Sequence, residues 1–128
     1  MILVVDNSVD KLKTPSKIGS EGENAATKYL KDKGYDIIFK NFRSCYGEID
    51  IIAEYSGYIV FAEVKLRGKN PMVSGRESVT PKKRDKITAT AQMWLAENKN
   101  GLQPRFDVIE INKLSETEYK IEHIENAF

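Results

Sequence analysis

The alternation of apolar and polar positions divides the chain into seven elements. Residues 16–33 carry Ile18, Gly22, Ala25, Ala26, Tyr29 and Leu30 on one stripe at helical spacing, and Gly34 is placed to end that helix. Tyr35-Asp36-Ile37-Ile38-Phe39-Lys40 predicts a strand. Two more strands, at about 47–54 and 58–66, flank the turn signal Tyr55-Ser56-Gly57. Residues 67–79 contain Gly68, Pro71 and Gly75 with little periodicity and predict a mobile loop. Thr80-Pro81 supplies an N-cap and a first-turn proline for a helix reaching about Asn98, with Ile87, Ala91, Trp94 and Leu95 inward and Gly101 beyond it. Residues 105–112 and 119–125 alternate as two last strands. The order α-β-β-β-α-β-β makes 16–128 a single domain of the α/β class, and residues 1–15, which have no clear period, read as an N-terminal extension.

The central hairpin holds the most informative residues. A turn about Ser56-Gly57 sets Asp50 opposite Glu63 and Glu48 opposite Lys65. Ser-Gly is not the ideal pair for a two-residue hairpin loop, so this register depends on there being no bulge. With a side-chain period of two, one face carries Ile49, Ile51, Ala53, Val60, Ala62 and Val64 and must be core. The other carries Glu48, Asp50, Ile52, Phe61, Glu63 and Lys65. Directly opposed carboxylates, with Cβ atoms about 4.5–5.5 Å apart, repel one another. A divalent cation between them, with Lys65 alongside, removes the conflict. The bland alternative is a Glu48–Lys65 ion pair with Asp50 in solvent; Ile52 and Phe61 weigh against it, because they require something to cover that face.

Composition narrows the classes. With 128 residues, 41% hydrophobic and 30% charged, the chain can bury one real core. No run approaches the roughly 18 apolar residues of a membrane span, and Met1-Ile2-Leu3-Val4-Val5 is too short and lacks the basic start of a signal peptide. A single Cys45 excludes a disulfide framework and a cysteine-rich zinc site, so a cytoplasmic location is the expectation. The lone His123 argues against chemistry that needs several histidines, and it and Cys45 are most simply structural. The net charge is only +1, yet between Lys65 and Lys86 eight basic residues face only Glu77 and Asp85. A basic window beside a carboxylate cluster points to a polyanionic partner.

Phosphodiester hydrolysis fits this arrangement. It needs a cation to neutralise developing charge, a water of lowered pKa, and a group that aligns it. Magnesium keeps several of its waters, so two carboxylates are enough. Asp50 and Glu63 would supply them, with the backbone carbonyl of Val64 in reach and Lys65 orienting the nucleophile. Glu21 and Glu23 flank the apolar stripe of the first helix at similar angles, and periodicity alone does not choose between them; both could equally be first-turn glutamates complementing the helix dipole. Lys82, Lys83 and Arg84 begin the second helix, where cations oppose the macrodipole and phosphate is favoured. Together with Arg43, Arg67 and Lys69 they are the candidate nucleic-acid contacts. Trp94 belongs to the core stripe.

The combination of Gly22-Glu23 with Ala26 and Leu30, Asn41-Phe42-Arg43, Gly47-Glu48-Ile49-Asp50 and Phe61-Ala62-Glu63-Val64-Lys65-Leu66-Arg67 resembles the YraN-like family of small bacterial proteins, regarded as relatives of archaeal Holliday-junction resolvases. Arg105-Phe106-Asp107-Val108 and His123-Ile124-Glu125-Asn126-Ala127-Phe128 fit as well, so the likeness covers about residues 18–128. Ala62 departs from the family's usual valine, and nothing in the family pattern interprets the leader before Gly19. The resemblance implies a restriction-endonuclease-like, three-layer fold with a mixed sheet flanked by helices. It also implies Glu23, Asp50, Glu63 and Lys65 as the catalytic set, which breaks the tie with Glu21. The expectation is a Mg²⁺- or Mn²⁺-dependent nuclease acting on structured or branched DNA, with DNA favoured over RNA, no membrane association, and a homodimer if it resolves junctions. The alternatives are a nucleic-acid-binding module of the same fold without cleavage, and a structural domain whose charges are ion pairs.

Overall fold

The computed structural model describes residues 2–4, 15–67 and 79–128. The elements are β1 (Ile2–Val4), α1 (Pro15–Asp32), β2 (Asp36–Arg43), β3 (Glu48–Tyr55), β4 (Tyr58–Arg67), α2 (Pro81–Glu97), β5 (Gln103–Lys113) and β6 (Glu118–Ile124). The expected elements are all present, and one is added. Ile2–Val4, read from sequence as part of an extension, pairs antiparallel with β6. Three residues are too few to show a period, and their partner lies at the far end of the chain. Pro15, also read as part of the extension, begins α1; residues 5–14 of it, like residues 68–78 of the loop expected at 67–79 and Lys69 among them, lie outside the described residues.

Local chemistry sets the boundaries. Gly34, at φ 93°, ends α1: its N–H bonds the Lys31 carbonyl and Tyr35 N–H bonds that of Leu30, the two bonds of a glycine-terminated helix end. Thr80 caps α2 by accepting from Lys83 N–H at 3.2 Å, with Pro81 at the first helical position and Asn98 closing the other end.

The six strands form one mixed sheet in the order β1-β6-β5-β4-β3-β2. β4 and β5 run parallel, so the chain must cross over between them, and α2 is in that crossover. Helices cover both faces. Ala25, Ala26, Tyr29 and Leu30 of α1 pack on Ile51, Ala53, Val60, Ala62, Ile109 and Ile111. Ile87, Ala91 and Trp94 of α2 pack on Ile52, Ile59, Phe61 and Val108, with Trp94 edge-on to Phe61. The cover that Ile52 and Phe61 required is therefore α2. Among the described residues, no helix is long and apolar enough to cross a membrane.

The hairpin register is the expected one from the turn as far as Ile51 opposite Ala62, and the pairing does not reach the expected Asp50–Glu63 and Glu48–Lys65 pairs. Tyr55 pairs with Tyr58 and the ladder continues to Ile51 opposite Ala62, with Ser56 and Gly57 both at positive φ (49° and 85°), as a tight two-residue loop demands. Two details differ. Ile49 packs with Ile52 and Phe61 on the α2 side, not with Ile51 and Ala53. Strict alternation thus breaks at Asp50, where the recorded pairing has ended and a side chain takes over from the backbone. Glu48 faces Arg43 of β2, and not Lys65.

Candidate active site

Close packing of α1 on β4 begins the site. A Cβ on Gly22 would lie 3.1 Å from Leu66 Cβ, so a larger residue would push the helix outward. The next residue is Glu23. Its Oε1 is buried without a hydrogen-bond partner, and burial raises its pKa against the opposing effects of Lys40 and of a hydrogen bond from Asn41. Asn41 sits in the left-handed region at φ 57°, a conformation asparagine tolerates better than most residues. Glu21 goes elsewhere: it pairs with Lys113 at 2.7 Å and accepts from the Tyr119 hydroxyl.

Where β3 and β4 part, Asp50 Oδ2 accepts the N–H of Val64 at 2.8 Å. Its carboxyl is pushed up to about 7 by burial first, then by the negative charge of Glu63, against the Val64 hydrogen bond; Glu23 and Glu48 add to the rise. Glu63 is only 7% exposed. Its Oε1 lies 2.5 Å from Lys83 Nζ and 3.4 Å from Lys65 Nζ. Burial and the neighbouring Lys83 lower the Lys65 pKa, while Glu63 opposes that fall. For Lys83, burial disfavours the charge, but Glu63 and Lys65 outweigh it and the pKa rises. The fold thus brings Glu23, Asp50, Glu63 and Lys65 into one electrostatic cluster from two strands and a helix.

The cluster suits a divalent cation chemically. It has a buried carboxylate oxygen without a donor, a carboxyl lifted by a second carboxylate, and ammonium groups standing against Glu63. Among the described residues no three of His, Cys, Asp and Glu lie close enough to enclose a metal by themselves. A water-rich Mg²⁺ site does not require that, because one or two carboxylates suffice.

The expected nucleic-acid contacts divide. Arg43 is exposed, 3.6 Å from Glu48, and Lys82 is exposed at the start of α2. Arg67 is mostly buried and pairs with buried Glu110 at 2.8 Å. Arg84 donates to the Val79 carbonyl at 3.0 Å and lies over the Phe128 ring. Lys83 is part of the site itself.

Sequence reasoning read His123 as structural but did not foresee the second polar cluster that it joins, on the α1 side nearer the turn of the hairpin. Arg105 forks onto both oxygens of Asp107 (2.9 and 2.8 Å) and donates to the Tyr35 hydroxyl at 2.7 Å. His123 joins Asp107 Oδ2 at 2.6 Å and the Tyr29 hydroxyl at 3.0 Å, and Asn126 N–H bonds Asp107 Oδ1. Burial would raise the Asp107 pKa, but His123, Arg105 and Asn126 hold it below the usual carboxylate value. The one legible signal was Arg105-x-Asp107, two charges on one face of a strand. The cluster is saturated with protein partners and ties β5 to α1, β6 and the chain's last residues.

The model of the uncharacterised protein family UPF0102 matches residues 22–111, which contain every member of the site. A UPF0102 protein of Alkaliphilus oremlandii is 47% identical over 115 residues, covering 88% of this chain and 97% of that one. Another, from a Sulfurihydrogenibium species, is 48% identical over 83% of this chain and 89% of its own. A third, from Clostridium botulinum, is 45% identical over 87% of this chain and 93% of its own.

Proposed function

The chain belongs to the UPF0102 family, the YraN-like group, and from that premise we propose that it is a Mg²⁺- or Mn²⁺-dependent endonuclease of restriction-endonuclease-like fold, acting on structured or branched DNA. The observation that carries this reading is the buried Glu63, two residues before Lys65 and beside an Asp50 whose carboxyl is pushed up by burial and then by Glu63, at the point where β3 and β4 stop pairing. A hairpin gains nothing from that juxtaposition, and a cation relieves it.

Asp50 and Glu63 would hold the ion, with the Val64 carbonyl on the same strand available to it. When bound, the ion would neutralise charge on the scissile phosphate and acidify a water. Val64 N–H keeps the Asp50 carboxylate turned toward β4. Lys65, partly buried, would present its amine to the attacking water or to a phosphoryl oxygen. Glu23, with an unsatisfied Oε1, would accept a hydrogen bond from that water. Arg43 and Lys82, both exposed, would hold the backbone of the nucleic acid.

The runner-up is a binding module of the same fold that does not cleave; the pairing of Glu63 with two lysines favours it, because the buried charge is already compensated. Labelled four-way junctions, flaps, duplex, single strands and RNA, each incubated with Mn²⁺, separate the two. Cleavage that disappears in Asp50→Asn supports the nuclease. Tight binding with intact substrates under every condition sinks it and leaves the binding module.

A further inference from the structure

Lys83 occupies an unusual position for a cation. It is the third residue of α2, where the common capping arrangement has glutamate or glutamine. The first turn of α2 contains no acidic residue, so the helix macrodipole disfavours this ammonium. The side chain instead reaches across to β4 and sets its Nζ 2.5 Å from Glu63 Oε1, the oxygen that Lys65 also approaches at 3.4 Å. Two ammonium groups on one carboxylate oxygen, with the Asp50 carboxyl next to it, carry together the charge of one divalent ion.

We propose that the Lys83 ammonium is a built-in stand-in for the divalent cation, seated on Glu63 in the metal-free protein and displaced from it when the metal binds. This rests on the metal-site reading above. An oxygen carrying an ammonium at hydrogen-bond distance cannot also accept Mg²⁺ at roughly 2.0–2.1 Å without placing like charges against each other. Lys83 is the one to leave. Its side chain is 39% exposed, so it has a path to water, whereas Lys65 is 27% exposed, farther from the oxygen and rooted in a central strand. The exchange breaks one ion pair, forms a carboxylate–metal bond, and turns a lysine outward beside exposed Lys82. Metal binding would thereby add a cation to the surface that meets phosphate.

Calorimetric titration of the full chain with Mn²⁺ tests this, using wild type, Lys83→Met and Lys82→Met. Methionine keeps the apolar stem and removes the charge; the neighbouring variant makes the same change of net charge away from Glu63. Lys83→Met should bind Mn²⁺ about five- to tenfold more tightly than wild type, the scale of one partly buried ion pair no longer in competition. Lys82→Met should bind like wild type. Thermal melts supply a second reading. The variant should melt below wild type in chelator, and the gap should narrow in saturating Mn²⁺, because the lost pair is then absent from both proteins. A merely structural ion pair would leave the gap unchanged. Equal or weaker affinity in Lys83→Met, or an equal gain in Lys82→Met, overturns the displacement while leaving the metal site standing. Absence of Mn²⁺ binding in all three proteins overturns the metal-site reading, and the displacement with it.

Discussion

Asp50 combines two demands that pull in opposite directions. Its carboxylate accepts the Val64 N–H, which favours the charged form, while burial and Glu63 push its pKa up to about 7. A carboxyl raised in the folded state contributes stability below its ordinary value, 3.8, and loses it as the pH climbs through about 7. Metal-free wild type should therefore weaken between pH 5 and 8 relative to Asp50→Asn, by on the order of 2–4 kcal/mol. Asparagine keeps an acceptor for Val64 N–H and carries no charge, so the variant should lack that slope and also lose stabilisation by Mn²⁺. Chemical denaturation at the two pH values, in chelator, measures the difference; parallel curves for the two proteins would contradict it. At this scale the nearness of Asp50 to Glu63 was legible because a tight turn fixes the hairpin register as far as Ile51 opposite Ala62, whereas the loss of alternation at Asp50 was not. Lys83 was assigned to nucleic acid because its contact with Glu63 joins a helix start to a strand, a distance no local pattern encodes. His123 and Asp107 were equally hidden, since their contact exists only once β6 lies against β5.

Among the elements, α1 owes its position to Gly22. Replacing a helical glycine by alanine ordinarily stabilises by up to about 1 kcal/mol. Here the new Cβ would meet Leu66 Cβ at 3.1 Å, and a Cβ fixed to a strand backbone cannot rotate away. Overpacking costs about 1–3 kcal/mol and should win. Gly22→Ala is expected to lower the melting temperature and to draw Glu23 away from Asp50; an unchanged or higher melting temperature would show that α1 can shift freely. The helices were predicted to within about two residues because their signals, Gly34 and Thr80-Pro81, are local. The break of alternation at Ile49 was not, because it follows from Asp50 replacing a backbone group as the acceptor for β4, which is a choice made in three dimensions.

Across the whole molecule, the two polar clusters have separable duties. Asp107 is fully buried and compensates Arg105 while also holding His123 and the backbone of Asn126. Asp107→Asn leaves a buried guanidinium without its charge partner and should cost about 3–5 kcal/mol, read as a shift in the denaturation midpoint. The proposed cleavage, measured well below the melting temperature, should persist in this variant. The charged surface is smaller than the basic window suggested, because Arg67, Lys83 and Arg84 are engaged within the protein. Lys82→Ala should reduce the salt dependence of duplex binding by about 0.9 logarithmic unit, whereas Arg84→Ala should leave the slope nearly unchanged. Equal changes in slope would mean that Arg84 leaves Val79 and Phe128 to meet phosphate.

The sheet's two margins are protected in different ways. β2 carries Asp36, Lys40 and Arg43, a register shift between Ile37 and Phe39, and the left-handed Asn41, all of which discourage another strand from docking. Among the described residues, the opposite margin has only the short β1 over β6, a strand that carries buried Tyr119 and Ile121. Deleting residues 1–4 would remove β1 from the edge of β6 while leaving Glu23, Asp50, Glu63 and Lys65 in place. Such a shortened chain should be competent in dilute solution and self-associate as its concentration rises, through edge-to-edge strand addition, which light scattering would follow. Ile2, Leu3 and Val4 would then decide the solubility of the whole domain.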